Sequence, residues 1–547
     1  MTKMKKCKTF TTVVACVLCL AMALSGCGGG QKTTKSVAGL SGVNEFPIVE
    51  EPIVLSVFGD KNIYIESMED NDFTRYYEDK TNVKIEWNIA AGEVRQALNL
   101  MFNSGAYCDI IMNLGFSKAE MLHYSDQGIL TNLSPYIEEH GYYIKEMFEK
   151  NPVIPKELTI NGGIYGLPVI KDSYRYLYKN KMWVYKPWLE KLGIEIPQTT
   201  EEFYQMLKRF KEEDPNGNGI ADEIPLVARG VGRDFGIQNY LMCAFLPSDS
   251  GRLYVDEKGK VQYTAVQPEF REGLRYIKKL YDDGLLYADT FILDRTQIMS
   301  IGESETPILG AAPGMFAGMF TISNGNSPRY YEYVAIPPLE GPEGVRSAVK
   351  EKPLYTGNFV VTTDCEYPDV AVKWIDWFYS REGKELSQSD TTGTTKRPAR
   401  EGELGYDGKQ ALYAIDKVEN QATEDTGTAQ KRNWHNFGVW YSDFESSVNI
   451  KNYNDVLDPN REWYNAYAAH DAYKVENFLG DLAISPEDIG EYSDILTALE
   501  EVDVSFASFV IGELSLDDDW DDYINRLKGL GLERLLEIVQ KAYDLSK

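Results

Sequence analysis

The segment Asp214-Pro-Asn-Gly-Asn-Gly-Ile-Ala-Asp-Glu223 places side-chain oxygens at its first, third, fifth, ninth and tenth positions, in Asp214, Asn216, Asn218, Asp222 and Glu223. Gly219 holds the sixth position, where the chain must turn sharply, and Ile220 at the seventh can offer its carbonyl. Ca²⁺ takes about six to eight oxygen ligands in a flexible shell, whereas Mg²⁺ demands a strict octahedron and keeps its waters. Asp214, Asp222 and Glu223 bring negative charge to match a divalent ion. Thr200 to Phe210 reads as an amphipathic helix entering the loop, and Ile224 to Val227 as a strand leaving it. An EF-hand would instead exit into a helix and carry Glu at its twelfth position, where this chain has Pro225. The expectation is one structural calcium ion, against the competing reading of a polar Asn-Gly turn with no ion.

Other chemistries find less support. The histidines are His123, His140, His435 and His470, and none forms HExxH. There is no GxSxG elbow and no phosphate-binding glycine loop. A glycosidase needs only two carboxylates, and with 84 acidic residues such a pair cannot be read in or out. The run Asp517-Asp518-Asp519-Trp520-Asp521-Asp522 reads as a solvated acidic stretch at a helix N-terminus. No catalytic residue is assigned. Of seven cysteines, Cys7, Cys16 and Cys19 lie in an apolar leader and Cys27 at its end. That leaves Cys108, Cys243 and Cys365, too scattered for a metal site and expected as free thiols.

The leader sets the address. Lys3, Lys5, Lys6 and Lys8 precede an apolar run to Leu24, too short to span a bilayer comfortably. Leu24-Ser25-Gly26-Cys27 resembles the bacterial lipobox, which implies a signal peptide over 1–26 and a lipid thioether on Cys27. Residues 27–52 are small, polar and without period, and are expected to be a flexible tether. The expected location is the outer face of the cell membrane, held by lipid alone. Formal charge is −28, and the lysine-rich leader makes the remainder more acidic still, which disfavours nucleic acid as a partner. Hydrophobic content of 43% supports a packed globule.

From Ile53 the pattern alternates strand and helix. Ile53 to Phe58, Val83 to Trp87 and Asp109 to Met112 read as strands, with Phe73 to Thr81 and Val94 to Phe102 as helices between them. That order predicts a parallel sheet covered by helices. Pro368 opens a further helix with Val370, Trp374, Ile375 and Phe378 on one face.

The strings QALNLMFNSGAYCDIIM, QGILTNLSPYIEEH, NGGIYGLPV, KPWLEKLGIEIPQTTEEF and YPDVAVKWIDWFYSREGKEL resemble the extracellular solute-binding lipoproteins of carbohydrate ABC importers, in family order from about residue 53 to 395. Cys108 departs from that pattern, where the family usually has proline. The resemblance implies an α/β fold of the periplasmic-binding-protein kind: two lobes, each a mostly parallel sheet flanked by helices, joined by crossing hinge segments. Lobe one is expected at 53–168 plus 355–395, and lobe two at 169–350 plus 400–547 with the loop 214–223, which is similar to the structural calcium loop of alginate-oligosaccharide-binding members. The implied function is capture of a sugar or oligosaccharide between the lobes and delivery to a permease, by a monomer that is not an enzyme. The alternatives are a glycan-active enzyme and a receptor feeding a sensor kinase. Sugar recognition sets aromatic faces against C–H patches and polar groups on hydroxyls, and 36 tyrosines suit it. The expected ligand groups are Asp60, Asn113, Tyr174, Arg175, Trp434 and Trp440. Arg175 is also suited to a uronic carboxylate.

Overall fold

The computed structural model describes residues 35, 37–60, 65, 67–90, 92–228, 236–249, 251–322, 327–388, 394–417, 433–434, 437–451, 459–475, 479 and 482–546. The leader and Cys27 lie outside them.

The first sheet begins as the alternation predicts. β1 (Ile53–Gly59) pairs in parallel with β2 (Val83–Ile89) and with β3 (Ile110–Met112). Burial along β2 alternates strictly, Val83, Ile85 and Trp87 inward and Lys84, Glu86 and Asn88 outward, the signature of a half-buried strand. Helix α1 (Asp72–Thr81) links β1 to β2; the Asn71 side chain accepts the Phe73 N–H at its start, and Asn82, at φ 59°, ends it. Helix α2 (Val94–Ser104) links β2 to β3. β4 (Leu167–Lys171) then leads out of this sheet to β5 (Lys181–Tyr185) in a second one.

The second sheet adds β6 (Ile224–Leu226), β7 (Leu309–Gly314) and β8 (Tyr333–Ile336), in the order β8-β5-β7-β6. β7 runs parallel to β6, and β5 runs antiparallel to both β7 and β8. Helix α3 (Thr200–Glu212) starts with a reciprocal Thr199–Glu202 capping box and buries Phe203, Met206, Leu207 and Phe210, one stripe at helical spacing.

The chain returns as β9 (Leu354–Val361), antiparallel to β3 and β4 in the first sheet. Helix α4 (Pro368–Asp376) follows, with Val370, Trp374 and Ile375 at 0–1% exposure as its pattern predicts. β10 (Tyr441–Ser442) adds to the outside of β4 in parallel, giving the order β10-β4-β9-β3-β1-β2. Then α5 (Pro459–Asp471) packs on β8, and α6 (Glu501–Ile511) and α7 (Leu532–Leu545) add to the core of the second sheet. Three passages therefore join the sheets: 172–180, 337–353 and the stretch after Ser442.

Two expectations need correction. The segment expected to lie wholly with lobe two from residue 400 returns to the first sheet: Trp434, Phe437, Val439 and Trp440 pack in its core. Four aromatic or branched residues in seven, followed by a strand-forming pair, seek an apolar face, and the free edge of β4 supplies it. Nor is 27–52 a free tether throughout. Ile48 and Val49 are buried at 1% and 0%, and Leu40 bridges Val49 in antiparallel fashion. Phe46, Ile48 and Val49 are the apolar groups that a search for periodicity passes over.

Candidate functional site

Strand direction places the site. β1, β2, β3, β4 and β10 all end at one edge of the first sheet, and β6, β7 and β8 end at one edge of the second. The passage 172–180 leaves the first of these edges at Lys171 and enters the second sheet at Lys181; the passage 337–353 leaves β8 and enters β9 at the same pair of edges. The carboxyl edges thus meet the joining segments from both sides, the location where open α/β sheets bind ligands.

Of the residues expected there, Asp60 follows β1 and is half-buried, and Asn113 follows β3 at φ 63° with its N–H donated to the Asn358 carbonyl, 2.8 Å. Arg175, in the first passage, is exposed; its guanidinium lies 5.0 Å from the centroid of Trp463 on α5. Trp463 packs edge-tilted on Phe316, just beyond the carboxyl end of β7, at 5.3 Å. Trp440 is 6% exposed and gives its ring to the Lys171 ammonium at 5.3 Å.

Two expected ligand groups turn out to be packing residues. Trp434 is 1% exposed: its indole N–H donates to Thr74 Oγ1 at 2.8 Å, Phe378 stacks on it at 5.1 Å, and Phe73 and Trp87 meet it edge-on. Both ring faces are occupied. Tyr174 is also 1% exposed, held edge-on by Tyr406 and Tyr464. It buttresses Arg175 from beneath.

Sequence reasoning missed Lys171, Trp463 and Phe316. Lys171 closes β4 with its ammonium over the rings of Tyr355, Trp440 and Tyr176, at 4.9, 5.3 and 5.5 Å. Burial and the neighbouring Lys179 charge push its pKa down. Lys179 itself pairs with Glu351 at 3.1 Å. The missed signal for Trp463 was the spacing of Trp463, Tyr464 and Tyr467, which lines one side of α5. The edge thus carries half-buried rings, Tyr176, Phe316, Tyr355 and Trp463, interleaved with cations, while Trp440 backs them from the core: flat apolar faces for C–H groups and donors for hydroxyl or carboxylate oxygens.

The loop 214–223 lies between α3 and β6 as expected. Asp214 Oδ1 accepts the N–H groups of Gly217 and Asn218, at 2.9 and 3.2 Å, and Oδ2 that of Gly219, at 3.0 Å. Gly217 and Gly219 take φ 78° and 75°, which glycine alone adopts freely. The amides of Asn216 and Asn218 donate to Asp222 at 2.8 and 3.0 Å. Among the described residues no set of three His, Cys, Asp or Glu side chains converges as a metal site. One atom of the loop is suited to a hard cation: Glu223 Oε1 is buried without a hydrogen-bond partner, and burial raises the Glu223 pKa, opposed by the backbone N–H groups of Glu223 and Asn216 and aided by the Asp214 and Asp222 charges. A buried carboxylate oxygen with no donor calls for a positive partner.

Cys108, Cys243 and Cys365 form no disulfide; Cys243 and Cys365 are buried and Cys108 is half-buried. His470 is not a surface residue. It is 1% exposed, its Nδ1 lies 2.7 Å from the Ala466 carbonyl, and burial beside Lys181 pushes its pKa down to about 3.

Known proteins bear on this arrangement. The chain is 25% identical to the fructooligosaccharide ABC transporter substrate-binding protein FusA of Streptococcus pneumoniae, over 98% of both chains. A FusA structure, an EF-hand mutant in complex with fructo-nystose, superposes with a TM-score of 0.72 at 22% identity, covering 90% of this chain and 99% of that one. An HMO-binding, ABC-transporter-associated solute-binding protein of Bifidobacterium longum infantis superposes with a TM-score of 0.74, at the same identity and coverage. These structural likenesses establish the periplasmic-binding-protein-like α/β fold. Residues 64–385 match the family described as bacterial extracellular solute-binding protein, more than half of the chain, and the protein belongs to that family.

Proposed function

We propose that this protein captures a sugar or oligosaccharide between its two sheets and delivers it to the permease of an ABC importer. The observation that carries the reading is the meeting of both carboxyl edges at a band of rings and cations, in a chain of the solute-binding family. Trp463 offers ring surface, Arg175 and Lys171 offer donors, and Asp60 and Asn113 follow the carboxyl ends of β1 and β3. The likeness to FusA, an ABC transporter substrate-binding protein for fructooligosaccharides, supports the class of ligand.

The protein acts as a monomer, anchored at the outer membrane face through lipid on Cys27, and performs no chemistry on its ligand. One calcium ion sits in the loop 214–223, held by Asp214, Asn216, Asn218, the Ile220 carbonyl, Asp222 and Glu223, where it neutralises buried carboxylate charge and steadies the junction of α3 and β6. The EF-hand named in the FusA structure is in keeping with this.

The test is a thermal-shift screen of neutral and acidic oligosaccharides, followed by calorimetry on hits and chromatography of the recovered ligand. A ligand bound only by the folded state raises Tm by mass action. Saturable binding with intact ligand is expected. Shortened products would replace this reading with a glycan-active enzyme, and the absence of any shift across the panel would end it.

A further inference from the structure

Lys171 stands at the root of all three passages. It is the last residue of β4, where the first passage begins. Its N–H donates at 2.8 Å to the carbonyl of Pro353, the last residue of the second passage. It also pairs in register with Ser442, from which the third departs. The side chain is half-buried, and its ammonium lies among three rings, 4.9 Å from the centroid of Tyr355, 5.3 Å from Trp440 and 5.5 Å from Tyr176. Among the described residues no carboxylate pairs with this ammonium and no oxygen accepts from it.

The two lysines at this spot are not served alike. Lys179 also sets its ammonium over Tyr355, at 5.6 Å, so one ring faces two cations. Lys179 has Glu351 as its carboxylate, at 3.1 Å, and Lys171 has none. Asp172, next along the chain, does not supply one: it lies with the Lys350 and Asp443 charges and accepts the Phe444 N–H. Successive side chains of a strand take opposite faces, which accounts for the separation. Burial and the Lys179 charge both disfavour the Lys171 ammonium. The rings attract its charge but offer no oxygen to its three N–H donors. A group that satisfies it must be negative at its rim and apolar on its faces. A pyranose bearing a carboxylate has that form, with C–H groups above and below and the charge at the edge.

We infer that the captured oligosaccharide carries a sugar carboxylate and that Lys171 receives it, with Tyr355 and Tyr176 as walls. The inference rests on the capture proposed above and narrows the class of its ligand. The positive charge is local to the passage roots, in a chain whose net charge is −28, so recognition of the acid is confined to this spot.

The experiment takes every oligosaccharide that raises Tm in the panel and titrates it into the full chain by calorimetry. The acidic arms are galacturonate and glucuronate oligomers and sialyllactose, and each is accompanied by its carboxyl-reduced form; the arm that binds tells a uronic from a sialic carboxylate. The acid is expected to bind tighter than its carboxyl-reduced form by about tenfold or more, the size of a hydrogen bond to a charged group. Lys171→Met should close that gap while leaving the carboxyl-reduced affinity in place, and Lys171→Gln, which keeps a donor without the charge, should close most of it. In the unaltered protein, raising salt from about 50 to about 500 mM should weaken the acid alone. Hits that are all neutral, equal binding of acid and reduced form, or a preference for acid that survives in Lys171→Met with its melting transition retained each overturn the inference and leave the capture reading standing. A panel without any hit ends the capture reading and this inference with it.

Discussion

The Arg175 guanidinium lies 5.0 Å from the centroid of the Trp463 ring, joining the first passage between the sheets to the helix that covers β8. Arg175 braces one side of the indole and Phe316 another, so the ring is held in place before any ligand arrives. Preorganised rings lose little freedom on binding. Trp463→Ala should weaken oligosaccharide affinity at least tenfold, about 1.4 kcal/mol, and Trp463→Phe by less. Calorimetry with a ligand from the screen measures both, and unchanged affinity in the alanine variant would remove Trp463 from the site.

Glu223 gives the proposed calcium site a two-sided test. Chelation should lower Tm by several degrees, with the metal recovered by elemental analysis. In metal-free protein the raised Glu223 pKa has the opposite sign of effect: the charged carboxylate is disfavoured in the fold, so native stability is lost as pH rises from the unfolded-state value through the raised native one. Glu223→Gln should therefore stabilise the metal-free protein at pH 7, leave it unchanged at pH 4, and abolish the response to calcium. Denaturant titrations at the two pH values check this.

Lys181 is 1% exposed, donates to the Tyr178 carbonyl and, at 3.4 Å, to that of Met315, and burial pushes its pKa down to about 7. A lysine with a lowered native pKa destabilises the fold while both states are protonated. The penalty is relieved as pH rises from about 7 toward the unfolded value near 10.4. His470, at about 3, stays neutral throughout that window. The stability of wild type relative to Lys181→Met should therefore climb between pH 6 and pH 10, by an amount on the order of a few kcal/mol. A flat difference would mean that the ammonium is solvated.

Gly357 in β9 has φ 58°, and a Cβ there would stand 2.3 Å from the Phe116 carbonyl oxygen. Pairing between β9 and β4 shifts register across this residue. Gly357→Ala should cost about 2 kcal/mol or more, from strain and collision together. Urea unfolding should show a lower midpoint with an unchanged slope.

The regular half of the fold was legible because its signals are local. The period-two run of β2 and the stripe Phe203, Met206, Leu207, Phe210 each report one neighbour, the face below. The loop 214–223 was legible as a polar turn for the same reason, since its oxygens and glycines sit within ten residues. What sequence could not show was which distant partner claims a residue. Trp434 sits in a glycine- and asparagine-bearing stretch that looks like loop, yet its ring is enclosed by Phe73, Trp87 and Phe378, hundreds of positions before it or nearly sixty. Lys171 and Trp463 were missed for the converse reason. Each looks ordinary alone: Lys171 gains its rings from β9 and the passage after β4, and Trp463 gains its cation from that same passage.

Three separate lengths of chain tie the two sheets together, and the third brings Tyr441 to β4 before α5 reaches β8. The first two are bonded to one another, the Glu351 N–H donating to the Leu177 carbonyl at 2.9 Å, so under the capture proposed above they would bend as a pair when the halves approach.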